Sequence, residues 1–222
     1  MNRSSAILLY AMLLPVPARA DDFGKFDGNP QTEWNVDGRT MRLLKNFTYE
    51  DPKGDKWVAP AGSTVDGASI PRMFWALIGG PFEGEYRNAS IVHDTECTEP
   101  YKHDWRAVHR MFYFACRAGG SRLVKAKIMF AAVYHFGPRW AWPPPNRTTP
   151  EGSAVQSQDD ALRMIVVVRK NPEISLDAIE GLSHVALVDQ VTDRELETQR
   201  EMLLDSQRMR LQGDLRGPLD FE

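Results

Sequence analysis

Alternating apolar and polar positions between residues 32 and 58 predict β-strands. The segments TEWNV, RTMRLLKNFTY and KWVAP are rich in aromatic and β-branched residues, and the turn-forming sequences DG and DPKGD separate them. The next segment, APAGSTVDGASIP, is rich in Gly, Pro and Ser, which predicts a structured loop with a short strand through residues 63–65. We therefore expect a small antiparallel sheet in this part of the chain.

Helical periodicity follows this sheet. The segment SIPRMFWALIG begins with Ser69, a typical helix cap, and ends at two glycines. His93 and Cys97 lie four residues apart in a predicted helix over about 86–97, and Asp104 is placed to cap the helix after it. The segment RLVKAKIMFAAVYHF predicts a fourth helix. The fold class is therefore α+β, with a small antiparallel sheet followed by a helical bundle that contains a His-Asp helix hairpin.

Composition divides the chain into four parts. Residues 1–20 resemble a signal peptide, residues 21–142 form the α+β domain, residues 143–157 are a Pro-rich linker, and residues 158–222 are a helical, charged C-terminal extension. The apolar stripes of the extension are thin, particularly after Thr192, so we expect an exposed helix or a frayed tail there. A helix that binds a protein partner is the alternative for the same residues.

The N-terminal residues have the features of a secretory signal. Arg3 supplies a positive charge, AILLYAMLLPV is a short apolar segment, and residues 18–20 form a small-x-small cleavage site. The apolar segment is too short to cross a bilayer, and no cysteine stands at the cleavage site to accept a lipid. This pattern predicts a periplasmic or secreted protein, with a buried N-terminal helix as the alternative.

Charge argues against a nucleic-acid partner. The formal net charge is −3, removal of residues 1–20 would change it to −5, and the sequence has no basic stripe. No later apolar segment is long enough to span a membrane, so we expect no transmembrane span.

The adjacent residues His93 and Asp94 are the strongest candidates for chemistry. Neighbours on a helix point roughly 100° apart, so the two side chains share one cleft or divide between two roles. A histidine can act as a base or a metal ligand, and a carboxylate can bind a metal or orient the imidazole. The alternative is a buried histidine that hydrogen-bonds a backbone carbonyl.

His109 strengthens a metal hypothesis. If the second and third helices form an antiparallel hairpin, His93 and His109 face each other, and together with Asp94 they are ligands that zinc or iron accepts. A divalent metal is therefore the cofactor hypothesis, without a fixed motif such as HExxH to specify it. Asp66, on the loop before the first helix, would orient a histidine or bind the metal. Alternatively, Asp66 and Ser69 satisfy the amides of their own loop.

The two cysteines, Cys97 and Cys116, compete with this histidine pair. When His93 opposes His109, Cys97 lies one turn beyond and opposite about residue 105. Cys116 is then about 11 residues away, or roughly 16 Å along the helix. That distance exceeds the Cα separation of a disulfide, and the histidine pair is the favoured interpretation.

Four segments follow one another along the chain: APAGSTVDGASIPRMFW, GGPFEGEYRNASIVHD, WRAVHRMFYFACRAGG and FGPRW. In this order they resemble the DUF1353 family of bacterial and phage proteins, and the resemblance runs from about Phe23 to Trp140. The family's function is unassigned, so the resemblance implies a fold and no reaction. His109 stands where many relatives carry Asp, which favours a His/Asp/His site over a His-Asp dyad.

The helix pair is also similar to that of secreted phospholipase A2. In that family a His-Asp pair on one helix faces an Asp on its antiparallel neighbour. Ala89 and Ser90 stand where its paired cysteines would fall, and its glycine-rich calcium loop is missing. The similarity therefore suggests a geometry for the site and nothing about lipids.

Two functions stay open from the sequence. The first is hydrolysis by a water molecule that a metal or His93 activates. The catalytic residues would be His93, Asp94, His109 and Asp66, in a cleft lined by Trp75, Tyr86 and Phe112. The second is a non-catalytic, phage-derived binding or assembly module, in which the DGASIP segment and the His-Asp pair form a structural polar network.

Overall fold

The computed structural model has the predicted α+β architecture. It describes residues 22–67, Phe74, 84–99, 102–143 and 157–211. The predicted signal peptide, Ser69 and Trp75, most of the Pro-rich linker and the residues after 211 lie outside the described residues. Within the described residues the chain forms six β-strands and seven α-helices.

Two small antiparallel sheets form the N-terminal layer. Their strands are β1 (Lys25–Phe26), β2 (Thr32–Trp34), β3 (Met41–Leu43), β4 (Phe47–Glu50), β5 (Lys56–Ala59) and β6 (Thr64–Val65). The strand orders are β1-β4-β5 and β2-β3-β6. Phe47 pairs with Ala59 in the first sheet, and Met41 pairs with Val65 in the second. All four of these side chains are buried.

The segment RTMRLLKNFTY, predicted as one strand, divides between the two sheets. Each piece keeps the alternation of buried and less buried side chains that predicted it. Between β3 and β4 the chain bends at residues 44–46 and changes sheet. The Asn46 side chain fixes this bend by accepting a hydrogen bond of 2.8 Å from the Ala61 backbone N–H. The antiparallel pairing is thus confirmed, in two sheets rather than one.

Seven α-helices form the rest of the described chain. They are α1 (Arg87–Thr98), α2 (Trp105–Ala118), α3 (Leu123–Phe136), α4 (Gln158–Lys170), α5 (Leu176–Glu180), α6 (His184–Gln190) and α7 (Asp193–Leu211). Asp104 caps α2 as predicted, because its carboxylate accepts a hydrogen bond of 3.1 Å from the Arg106 backbone N–H. None of the described helices has both the length and the apolarity that a bilayer span requires.

The central element is α1. It packs against α2 on one side, which is the predicted hairpin, and against β4, β5 and β6 on the other. Helix α2 packs in turn on α3. Residues 89–96 of α1 are all buried, and they include His93 and Asp94. Buried polar groups need hydrogen-bond partners, so the partners of these side chains define the site.

The C-terminal extension packs on this helical bundle. Helix α4 contacts both α3 and α7, and its residues 160–168 are all buried. Arg110 on α2 forms ion pairs with Asp177 and Glu180 of α5. His135 on α3 donates a hydrogen bond of 2.7 Å to the backbone carbonyl of Ile179 in α5. Burial and polar contacts therefore join the extension to the bundle.

Helix α7 is exposed over most of its surface, as expected, but it is not a frayed tail. It buries a narrow stripe that includes Leu196 and Leu203, which are 4% and 3% exposed. This stripe packs on α4. The narrow stripe of α7 is sufficient to cover the remaining apolar side of α4, because α3 already covers another side of α4.

Replacing Ile165 by Ala tests whether the extension belongs to the same cooperative unit as the bundle. Ile165 on α4 is 1% exposed, and we expect Ile165→Ala to lower the free energy of unfolding by about 2–5 kcal/mol. Val185 on α6 is 67% exposed, and the control Val185→Ala should change it by less than about 0.5 kcal/mol. Urea unfolding should give one transition by fluorescence and circular dichroism. Two separate transitions, only one of them sensitive to Ile165→Ala, would contradict a shared core.

Candidate functional site

The hairpin of α1 and α2 brings His93 and His109 together. His93 Nε2 lies 2.9 Å from His109 Nδ1, and the ring centroids are 5.1 Å apart. Both side chains are 0% exposed. The rings of Phe112 and Trp105 pack on this pair, at 4.7 Å from His93 and 5.6 Å from His109 respectively. The predicted meeting of the two histidines across the hairpin is therefore confirmed.

A backbone carbonyl sets the protonation pattern of the pair. His109 Nε2 lies 3.0 Å from the carbonyl oxygen of Pro138. A carbonyl only accepts, so His109 Nε2 carries the proton and its Nδ1 is an acceptor. His93 Nε2 must then donate to His109 Nδ1, which leaves the lone pair of His93 on Nδ1. The two neutral rings form one directed chain that ends at Pro138.

Burial keeps both imidazoles neutral. It lowers the pKa of His93 well below its usual value, and the neighbouring His109 lowers it further. Burial lowers the pKa of His109 to about 3, although the hydrogen bond to Pro138 opposes this shift. Neutral imidazole is the form that binds metal ions, so neither ring has to lose a net proton to become a ligand. His109 offers the lone pair of its Nδ1, and His93 offers that of its Nδ1, or that of its Nε2 once its proton has moved to Nδ1.

Cys97 is the third member of this cluster. It follows His93 by one helical turn, and its Sγ lies 3.7 Å from His93 Nε2 and 3.8 Å from His93 Nδ1. One ligand atom from each of His93, Cys97 and His109 lies within 4.8 Å of the other two. In a tetrahedral zinc site, nitrogen and sulfur ligands lie roughly 3.3–3.6 Å from one another. A small separation of the two imidazoles would therefore admit an ion between the three atoms.

The four-residue spacing of His93 and Cys97 was visible in the sequence. It placed both side chains on one stripe of α1. The same spacing that makes Cys97 a candidate disulfide partner thus also indicates a mixed nitrogen and sulfur cluster, which the disulfide hypothesis does not include.

A cavity of about 390 Å³ lies beside the cluster. Among the described residues it is lined by Thr40, Thr64, Asp66, Asp94, Cys97, Thr98 and Pro138. The cluster meets this cavity through the half-buried Cys97, while His93 is fully buried. Tyr86 and Phe112, which were expected to line the cleft, are 0% exposed in the core instead. Trp75 lies outside the described residues.

Asp94 points to the cavity loop rather than to the histidines. Its Oδ2 accepts hydrogen bonds from the backbone N–H groups of Asp66, at 3.1 Å, and of Gly67, at 2.6 Å. Gly67 has a φ of 86°, a conformation that favours glycine and that presents its N–H to the carboxylate. Asp94 Oδ1 is buried and has no hydrogen-bond partner within the described part of the chain.

Two causes raise the pKa of Asp94 well above its usual value. Burial is the larger one, and the nearby Asp66 carboxylate adds to it. The two backbone hydrogen bonds act in the opposite direction. Asp66 itself is exposed and lines the same cavity. The structure thus brings Asp66 and Asp94 together, next to the His93, Cys97 and His109 cluster but with separate contacts.

The cysteines are not joined by a disulfide. Cys97 is half-buried, whereas Cys116 on α2 is fully buried. Burial raises the pKa of the Cys116 thiol well above its usual value. The two cysteines are not bonded to each other and the histidines meet, which agrees with the favoured interpretation that the histidine pair replaces a bridge between the two cysteines.

The two aspartates, the two histidines and Cys97 of this site lie in one segment of the chain. Residues 41–133 match the DUF1353 family. Its description is Protein of unknown function (DUF1353). This match confirms the resemblance seen in the sequence motifs. The DUF1353 segment (residues 41–133) contains Asp66, His93, Asp94, Cys97 and His109.

Two curated proteins of Sinorhizobium fredii (strain NBRC 101917 / NGR234) are similar to this chain. Uncharacterized protein y4jT is 45% identical over 125 residues, which cover 54% of this chain and 36% of that protein. Uncharacterized protein y4iH is 40% identical over 102 residues, which cover 46% of this chain and 42% of that protein. The chain thus spans less than half the length of these curated relatives. No solved structure matches the chain.

The two thiols of the protein should react at very different rates. Cys97 lines the cavity, whereas Cys116 is buried and has a raised pKa. In metal-free native protein, we expect Ellman's reagent to label one thiol quickly and the second only after denaturation. Cys97→Ser should remove the fast reaction, and the control Cys116→Ala should keep it. Equal rates for the two thiols would contradict this arrangement.

Proposed function

We propose that the DUF1353 segment binds a divalent metal ion, zinc in the first place, and uses it to hydrolyse a substrate in the neighbouring cavity. The ligands are His93, Cys97 and His109. The observation that carries this proposal is the pair of buried, neutral imidazoles 2.9 Å apart, with a thiol one helical turn away at the cavity wall.

The donor set supports zinc. Imidazole nitrogen and thiolate sulfur are the ligands that zinc prefers, and three protein ligands leave one coordination position for water or substrate. His109 also has the support that metal-binding histidines usually have, because its second ring nitrogen donates to the Pro138 carbonyl. Bound zinc would act as a Lewis acid and lower the pKa of a water molecule.

The complete burial of His93 favours a metal over a histidine base acting alone. A base must come within hydrogen-bond distance of the proton that it removes. His93 is 0% exposed, and Cys97 forms the cavity wall beside it. An ion held by both histidines and Cys97 would connect the buried imidazoles to the cavity, which is lined by Cys97 and not by His93 among the described residues.

Asp94 and Asp66 have separate roles in this proposal. Asp94 positions the cavity loop through its two backbone hydrogen bonds. Its Oδ1 has no partner among the described residues and would accept a hydrogen bond from a water or substrate group in the cavity. Asp66 contributes an exposed carboxylate to the same cavity. Both residues thus act on the substrate side of the site.

We also propose that the mature protein is periplasmic or secreted. The support is the sequence of residues 1–20 alone, with its charged start, its short apolar segment and its cleavage site.

A structural network is the second candidate function. Its support is the chain of hydrogen bonds from His93 through His109 to Pro138, which is buried and satisfied without an ion. In that case the DUF1353 segment is a non-catalytic binding or assembly module, and the histidines hold the α1–α2 hairpin in register.

Metal content separates the two candidates. We expect the full chain, purified without a His tag, to hold about one zinc ion per chain by elemental analysis. His93→Ala, Cys97→Ser and His109→Ala should each lose it, and His184→Ala, at an exposed histidine of α6, should keep it. Cobalt substitution should give a thiolate-to-cobalt absorption band that Cys97→Ser abolishes. Metal-free wild-type protein that also takes up no added zinc or cobalt would refute the proposal.

Zinc should stabilise the wild-type fold. A ligand at one hundred times its Kd adds about 2.7 kcal/mol to the free energy of unfolding, and Cys97→Ser should lose this gain. If zinc has no effect, and His93→Ala loses about 1–3 kcal/mol from the partner left unpaired, the structural network is the correct function. Urea titration with and without zinc measures both quantities.

Zinc-loaded protein should then hydrolyse at least one substrate in a panel of esters, phosphodiesters and peptides. The Cys97→Ser variant should be inactive on the same substrate.

A further inference from the structure

A second cavity lies in the C-terminal extension, outside the DUF1353 segment. It has a volume of about 360 Å³ and lies between α4 and α7. Its lining in the described residues is Val166, Arg169, Lys170, Arg194, Glu195, Thr198, Gln199 and Met202. The volume is at the lower end of the range for small-molecule sites.

The rim of this cavity is positively charged. Arg169 and Lys170 end α4, and Arg194 lies in the first turn of α7. Glu195 forms an ion pair with Lys170, at 2.8 Å. Lys170 and Thr192 lower the pKa of Glu195 to about 2, so this acid stays ionised and offsets the charge of Lys170, and Arg194 leaves the rim with a positive charge. Within the described residues, no acid lies within ion-pair distance of Arg194.

The floor of the cavity combines apolar surface with a buried amide. Val166 and Met202 supply the apolar part. Gln199 is 3% exposed, and its Oε1 accepts a hydrogen bond of 3.3 Å from Arg169. Its Nε2 is buried and has no hydrogen-bond partner in the described portion of the chain. A buried donor without a partner is unfavourable, and an oxygen atom of a ligand would satisfy it.

We propose that this cavity binds a small organic anion, in which a carboxylate or phosphate group is attached to a short apolar body. The guanidinium group of Arg194 matches the planar geometry of these oxyanions. Gln199 Nε2 supplies a further donor, and Val166 and Met202 contact the apolar body. The site is independent of the proposed metal centre, because it uses none of its residues.

Binding by the intact full chain tests this proposal with three probes of the same chain length. We expect hexyl phosphate or hexanoate to bind in isothermal titration calorimetry, and hexanol to bind at least about tenfold more weakly because it lacks the charge. Comparison of the two anions identifies the phosphate or the carboxylate as the preferred group. Added salt should weaken binding of the anion, since the rim is exposed. Equal binding of hexanol, or no binding of either anion at millimolar concentration, would overturn the proposal.

Two arginine variants on α7 locate the site. Arg194→Gln removes a rim charge and should weaken anion binding at least about tenfold. Arg208→Gln removes an exposed charge from the same helix, away from the cavity, and should leave binding unchanged. Gln199→Leu removes the buried donor and should also weaken binding, with circular dichroism to check the fold. Unchanged affinity in Arg194→Gln would assign the anion to a different surface and refute this site.

Discussion

The contact between His93 and His109 is the constraint on which the rest of the site depends. Two buried imidazoles can share a hydrogen bond only where α1 and α2 cross at that level, so the contact fixes the register of the hairpin. Aromatic rings close around the pair and exclude water. Exclusion of water lowers the pKa of both rings, so both imidazoles are neutral and have the charge state that a metal ligand needs.

The polar side chains of helix α1 contact two different parts of the structure. The four-residue step from His93 to Cys97 keeps both on the side that faces α2. The single step from His93 to Asp94 turns the carboxylate toward the loop at residues 66–67. The cavity lies where these two directions meet, since Cys97 and Asp94 both line it. His93 and Asp94 therefore belong to two adjacent groups of side chains and do not form a His-Asp dyad with each other.

The sequence predicted what depends on local periodicity. For an antiparallel hairpin, helix spacing was enough to oppose His93 and His109 and to favour that pair over a bridge from Cys97 to Cys116, because both follow from the rise per residue. The break between β3 and β4 depends on the contact of Asn46 with Ala61, which periodicity does not encode. Whether Cys97 or Asp94 lies beside the two histidines depends on the rotation of α1 about its own axis. The sheets that pack on the other side of α1 determine this rotation.

The support of His109 comes from beyond the DUF1353 segment. Pro138 follows the last matched residue, 133, and its carbonyl sets the tautomer of His109. Two contacts hold the chain at this point. Arg139 stacks on Trp105 at 4.7 Å, and the indole N–H of Trp140 donates a hydrogen bond to the backbone carbonyl of His103. These residues continue toward the extension, which packs on α3. The matched segment therefore supplies the cluster, and the chain that leaves α3 orients it.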